Sequence, residues 1–164
     1  MAFCVQAQSV SESAVKAAFL YKFTSFVDWP PGTFPRGDDA LVIGVLGNDA
    51  VAADLEQVLA GRSVNGRALG VRRLREGDPL RGLHVLFLGA GREAKVRELV
   101  LATPGPVLVV TEQEGGLRLG AVLNFVNDGG KIRFTASLTA AEARGLRLSA
   151  RLLAVAQSVE GHAR

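Results

Sequence analysis

The sequence predicts a single three-layer α/β domain: a mostly parallel sheet, helices on both faces, and a C-terminal β-hairpin plus helix. Three observations predict it. First, the short runs at 41–46, 84–88 and 107–110 (LVIGVL, HVLFL and VLVV) are apolar throughout or after the first residue, the composition of strands buried on both faces. Second, segments of helical periodicity separate these runs, which is the alternation of a doubly wound sheet. Third, Asp128-Gly129-Gly130 lies between Phe125-Val126 and Ile132-Arg133-Phe134, and glycines supply the positive φ that a tight hairpin needs.

The elements follow in order. Ser11 or Ser13 caps a first helix running to about residue 27, with Val15, Ala18, Phe19, Phe23 and Phe26 as its apolar face. Lys22 sits inside that face, either snorkelling along its edge or held for a partner. Trp29 precedes Pro30 and is pushed to extended backbone, so the helix ends there. The first buried strand, at 41–46, runs into Gly47-Asn48-Asp49, which opens a helix with Val51, Leu55, Val58 and Leu59 inward and Gly61 as its stop. Asn65-Gly66 is a turn, and 69–74 is a less apolar strand near an edge. After the strand at 84–88 a helix covers 93–101, broken by Pro104-Gly105-Pro106. The strand at 107–110 ends in Thr111-Glu112. Behind the hairpin, Thr139 with Glu142 reads as a capping box opening one long helix to Val159. Leu148, Leu152, Val155 and Val159 would line its inner side, and Arg144, Arg147 and Arg151 its opposite flank.

A chain of 164 residues is one domain by default, taken as 9–160. With 48% hydrophobic and 21% charged residues it is ordered and not a disordered tail. The net charge of +3 comes from dispersed arginines, so no nucleic-acid surface is indicated. No apolar run reaches the roughly 18 residues of a membrane span. The single cysteine, Cys4, rules out an internal disulfide and a cysteine metal cluster. Residues 1–8, MAFCVQAQ, end like a secretory cleavage site and read as the remnant of a signal peptide whose front is missing. The plainer alternative is the frayed N-terminus of a cytosolic protein.

Known chemistries find little purchase. A dinucleotide loop needs G-x-G-x-x-G, and the loop after the first strand has only Gly47. Gly89-Ala90-Gly91-Arg92 is at most a weak anion loop. A phosphorylated receiver needs an acidic cluster at strand ends that is missing here. There is no G-x-S-x-G elbow. His84 and His162 lack close acidic partners, so neither a triad nor a metal site is expected, and no cofactor. What remains at the strand ends is a polar crevice of Asn48, Asp49, Arg92 and Glu112, a candidate small-ligand site.

The stretches VKAAFLYKFTSFVDWP, LVIGVLGND, HVLFLG, PVLVVTE and NFVNDGGKIRFTASLTAAEARGLRLSARLLAVA resemble the YfiR family of periplasmic proteins, over about 15–156. The helix leading into Trp29-Pro30 and the glycine hairpin followed by L-x-L-S-x-x-L-L are its specific parts. The resemblance implies a periplasmic binding protein without catalytic activity, secreted through a signal peptide. It implies repression of a membrane-bound diguanylate cyclase, through binding of the periplasmic sensor region of that GGDEF protein. It also implies sequestration of the repressor by an outer-membrane lipoprotein. The family's well-known member is similar but carries disulfide-forming cysteines in its body. Here Cys4 stands alone, so stability has to come from packing. The surface chemistry nominates Lys22, Trp29, Arg144, Arg147 and Arg151 for partner binding. A small-ligand sensor, or a subunit of another membrane sensor such as a histidine kinase, is the alternative. Edge strands of this kind can pair two chains, so a homodimer is expected.

Overall fold

In the computed structural model, which describes residues 11–161, Ser11 opens the first helix. Its Oγ accepts from the Ala14 amide, and α1 (Glu12–Phe26) follows. The expected signal-peptide residues 1–8, Cys4 and His162 lie outside the described residues. The anticipated apolar face of α1 is only partly the inward one. Phe23 is buried, but Ala17, Leu20 and Thr24 are the other inward residues, joined by Lys16. The reason is that α1 is gripped from several sides, by neighbouring helices and by the sheet. One stripe cannot describe a helix with more than one inward direction.

β1 (Val27–Asp28) is short, and β2 (Leu41–Leu46) is the first sheet strand. Asn48 caps α2 (Asp49–Leu59) by accepting from the Val51 amide. β3 (Ser63–Val64) turns at Asn65-Gly66 into the longer β4 (Arg67–Leu74). β5 (Val85–Leu88), α3 (Glu93–Ala102) and β6 (Leu108–Thr111) come next, then a 3₁₀ turn at Gly116–Leu119. β7 (Leu123–Asp128) and β8 (Lys131–Ser137) form the hairpin. Asp128 sits opposite Lys131, so the turn is Gly129-Gly130, both at positive φ (60° and 93°).

The main sheet has eight strands in the order β10-β8-β7-β6-β5-β2-β4-β3, with β10 being Ser158–Glu160. β4, β2, β5, β6 and β7 are mutually parallel. In chain order these five lie second, first, third, fourth, fifth, the flavodoxin-like arrangement, with its topological switch between β2 and β5. Side chains alternate between two cores. Ile43, Val45, Val85, Phe87, Leu108 and Val110 join α1 and α2 on one face. Leu86, Leu88 and Val109 join Val96 and Val100 of α3 on the other. The expected mostly parallel sheet with helices on both faces is therefore the observed architecture.

The C-terminal region corrects the expectation. There is no single helix from Thr139 to Val159. Ser137, not Thr139, is the cap, accepting from the Ala140 amide, and α4 covers only Leu138–Ala143. Gly145 (φ 72°) ends it. The Leu146 amide donates to the Ala141 carbonyl (2.9 Å) and the Gly145 amide to that of Glu142 (3.0 Å), the pattern of a Schellman stop. β9 (Arg147–Leu148) then pairs with β1 in a two-stranded ribbon. Ser149 caps a second short helix, α5 (Ala150–Val155). The described residues close by adding β10 parallel to β8, so β10 and not the hairpin forms this edge of the sheet. Of the predicted inner line, Leu148 and Leu152 are buried, whereas Val155 is 62% and Val159 40% exposed.

Candidate functional site

Two places bring sequence-nominated residues together. The first is at the carboxyl ends of β2, β5 and β6. Glu112 follows β6, and its carboxylate is filled by three elements. Lys16 of α1 donates to it at 2.7 Å, Asn48 Nδ2 at 3.0 and 3.2 Å, and the Ala90 amide at 3.2 Å. The Lys16 and Glu112 side chains are only 10% and 9% exposed, so the pair is screened from water. Glu12 adds a longer contact to Lys16 at 3.7 Å. Next door, Gln113 exchanges two hydrogen bonds with the Gly91 backbone, both 3.1 Å. Asn124 Oδ1 accepts from Thr111 Oγ1 and the Gln113 amide. A Cβ on Gly116 would lie 2.2 Å from Thr111 Oγ1, so only glycine lets the 3₁₀ turn approach this network.

Asn48 and Glu112 thus meet, as expected of a crevice, but on each other. Asp49 lines a neighbouring cavity of about 490 Å³ at the β2–β5 switch, with Arg75, Glu76, Lys95, Ala90 and Gly91. Lys95 Nζ pairs with Glu76 Oε1 at 2.9 Å, which raises the lysine pKa and lowers that of the carboxyl. Arg92 is exposed at the N-cap of α3 and makes no capping bond with its side chain. Among the described residues no group of three or more His, Cys, Asp or Glu is placed to hold a metal ion.

The second place is a groove of about 730 Å³ between α1 and α5. Its floor is aromatic. Phe23 and Phe134 meet edge to face at 5.0 Å between ring centroids, and Phe19 stacks on Phe23 at 5.9 Å. Leu152 and Val155 of α5 form the other wall. Lys22 and Arg151 both line it and both are exposed.

A family model for YfiR/HmsC-like proteins matches residues 13–157. The chain belongs to this family. The family, in general terms, comprises periplasmic regulators of cyclic-di-GMP signalling. Among solved structures, a conserved domain protein from Vibrio cholerae O1 biovar El Tor is similar at a TM-score of 0.59 and 15% identity. That alignment covers 92% of this chain and 60% of the other, and it speaks for the fold alone. No curated protein matches the chain. No helix among the described residues is long and apolar enough to cross a membrane.

In this YfiR/HmsC-like chain the remaining nominated residues are scattered. Arg144, Arg147 and Arg151 do not share a helix flank, because the Gly145 stop puts them on three different segments. Arg144 is turned inward. Its guanidinium donates to the carbonyls of Val100 (2.9 Å), Gly105 (3.0 Å) and Thr103 (3.2 Å), closing the C-terminus of α3. Burial lowers its pKa from the ordinary value. Arg147 is exposed on β9, opposite Asp28. Trp29 is half-buried, and its indole N–H donates to the His84 carbonyl at 3.2 Å. Phe34 lies edge-on to Trp29 and stacks on His84 at 4.5 Å, with the Arg67 guanidinium 4.0 Å above its ring. Sequence reasoning missed Lys16 altogether. The available signal was a lone lysine in the apolar run Val15-Lys16-Ala17-Ala18, as visible as Lys22 but assigned no role.

Proposed function

We propose that the chain represses a membrane-bound diguanylate cyclase by binding its periplasmic sensor region, and so lowers cyclic-di-GMP output. The groove between α1 and α5 carries this reading. It is the place where two nominated cations, Lys22 and Arg151, flank exposed apolar surface on Val155. A concave apolar floor with charge at its rim is the anatomy of a recognition surface. Repression needs only differential binding: a repressor favouring one sensor conformation by about 1.4 kcal/mol shifts its population tenfold. The filled network around Glu112 serves that surface indirectly, because it fixes α1, the groove's wall, to three strand ends.

The test is binding of the chain to the purified periplasmic sensor region of a membrane-bound GGDEF protein from the same organism, with cellular cyclic-di-GMP as second readout. Lys22→Glu with Arg151→Glu is expected to weaken binding about tenfold, the scale of two rim ion pairs replaced by repulsion, and to raise cyclic-di-GMP. Arg147→Glu, away from the groove lining, is expected to leave both unchanged. A double variant that binds and represses like wild type removes the groove from the reading.

A further inference from the structure

We propose that the groove between α1 and α5 is a binding site for an anionic amphiphile, a long-chain carboxylate with its chain on the aromatic floor and its head at Lys22 and Arg151. Its volume, about 730 Å³, lies within the range of small-molecule sites, about 300–1,000 Å³. The floor reaches the core: Phe23, Phe134 and Leu152 line the groove yet are at most 2% exposed. The ionisable groups on its lining are Lys22, Arg151 and the phenol of Tyr21, with no carboxylate among the described residues. Like most described cations of the chain, neither forms an ion pair with a described acidic side chain. Two unpaired cations over an apolar trough select a negative head and an apolar body. The apolar surface open to an acyl chain is Val155 of α5, 62% exposed, with the half-buried Phe19 and Phe26 of α1, above that floor. Beside the sensor docking proposed above, such a ligand is a competitor for one face; this clause alone rests on the docking reading.

Titration calorimetry of the full chain with sodium myristate, tetradecanol and tetradecyltrimethylammonium tests the site below their micelle concentrations. Myristate is expected to bind at one per chain, and the cationic analogue at least about tenfold more weakly, as charge reversal at two rim contacts implies. Lys22→Glu with Arg151→Glu is expected to invert that order while tetradecanol stays unchanged. Ala154→Trp, on the exposed lip, is expected to reduce binding of all three. No heat with myristate, or equal affinity for anion and cation in wild type, overturns the proposal even if every variant fails to fold. A wild-type dimer split by Val155→Glu, without myristate binding, assigns the groove to a second copy and also overturns it. Sensor-region binding measured without lipid reads the docking separately: its loss sinks docking and leaves the myristate result standing. Sensor binding that persists at saturating myristate sinks the competition.

Discussion

Lys16 and Glu112 are each about nine-tenths covered, so removing one partner leaves the other charged and out of water. Glu112 would keep Asn48 and the Ala90 amide but lose the Lys16 ammonium at 2.7 Å, its one cation among the described residues. Lys16→Met is therefore expected to cost about 3 kcal/mol in urea unfolding. Adding Glu112→Gln should recover part of that, because no bare charge remains. If Lys16→Met moves the midpoint no further than Lys22→Met, the pair is not structural. His84 sets a pH dependence at the same scale. Its Nδ1 accepts from the Val42 amide at 3.0 Å, so the ring is held neutral. Burial lowers its pKa first, and Arg67 and Arg72 lower it further against the opposing pull of Asp39. The unfolded chain takes up the proton near the ordinary pKa of about 6.5, the folded chain only at lower pH. Between those values the unfolded state binds more protons, so stability is full above about pH 6.5 and falls as pH drops through the window. Urea midpoints from about pH 7 to about pH 5.5 should fall more steeply for wild type than for His84→Gln. Parallel curves would remove His84 as the cause.

At the scale of elements, Gly145 decides the C-terminal third. It takes a φ of 72° and lets two orphan carbonyls of α4 be satisfied. An alanine there would meet only Pro30 Cγ at 3.6 Å, an ordinary contact, so its cost is conformational and not steric crowding. Gly145→Ala is expected to lose about 1 kcal/mol by denaturant unfolding. A neutral or stabilising effect would mean that the single long helix competes with the observed break. This is also where legibility ran out. The sheet strands could be read because wholly apolar runs leave no other use for their residues. The region after the hairpin has helical spacing that survives both breaks, so periodicity alone joined α4, β9 and α5. The glycine stop at Gly145 and the fresh cap at Ser149 were present as letters. They lost to the apolar repeat, because a left-handed cap and a ribbon partner at β1 are tertiary facts. The sites divide in the same way. Asn48 and Glu112 were legible because strand ends place them. Lys16 was not, because its partner lies 96 residues away.

For the whole molecule, the strand order sets a gradient of stability. β5 and β6 lie inside the sheet with parallel neighbours on both sides, and Val85, Leu86, Phe87 and Leu108 are fully buried. β10 has one neighbour, and its three residues are all exposed. β3 is the opposite edge, with Val64 its only buried residue. Opening a central strand breaks two ladders and both cores, while opening an edge breaks one ladder and little packing. Hydrogen exchange should accordingly show the amides of Val85–Leu88 and Leu108–Thr111 exchanging only with global unfolding. Those of Ser158–Glu160 should exchange far earlier, by local opening. The groove sits toward the weak side, because α5 leads directly into β10 and is only six residues long. An occupant of the groove would tie α5 to α1, so the same experiment with myristate should slow exchange in α5 and β10 while leaving β5 unchanged. Equal protection of β10 and β5 in the free chain would contradict this gradient. A uniform slowing across the sheet on adding myristate would place the ligand elsewhere.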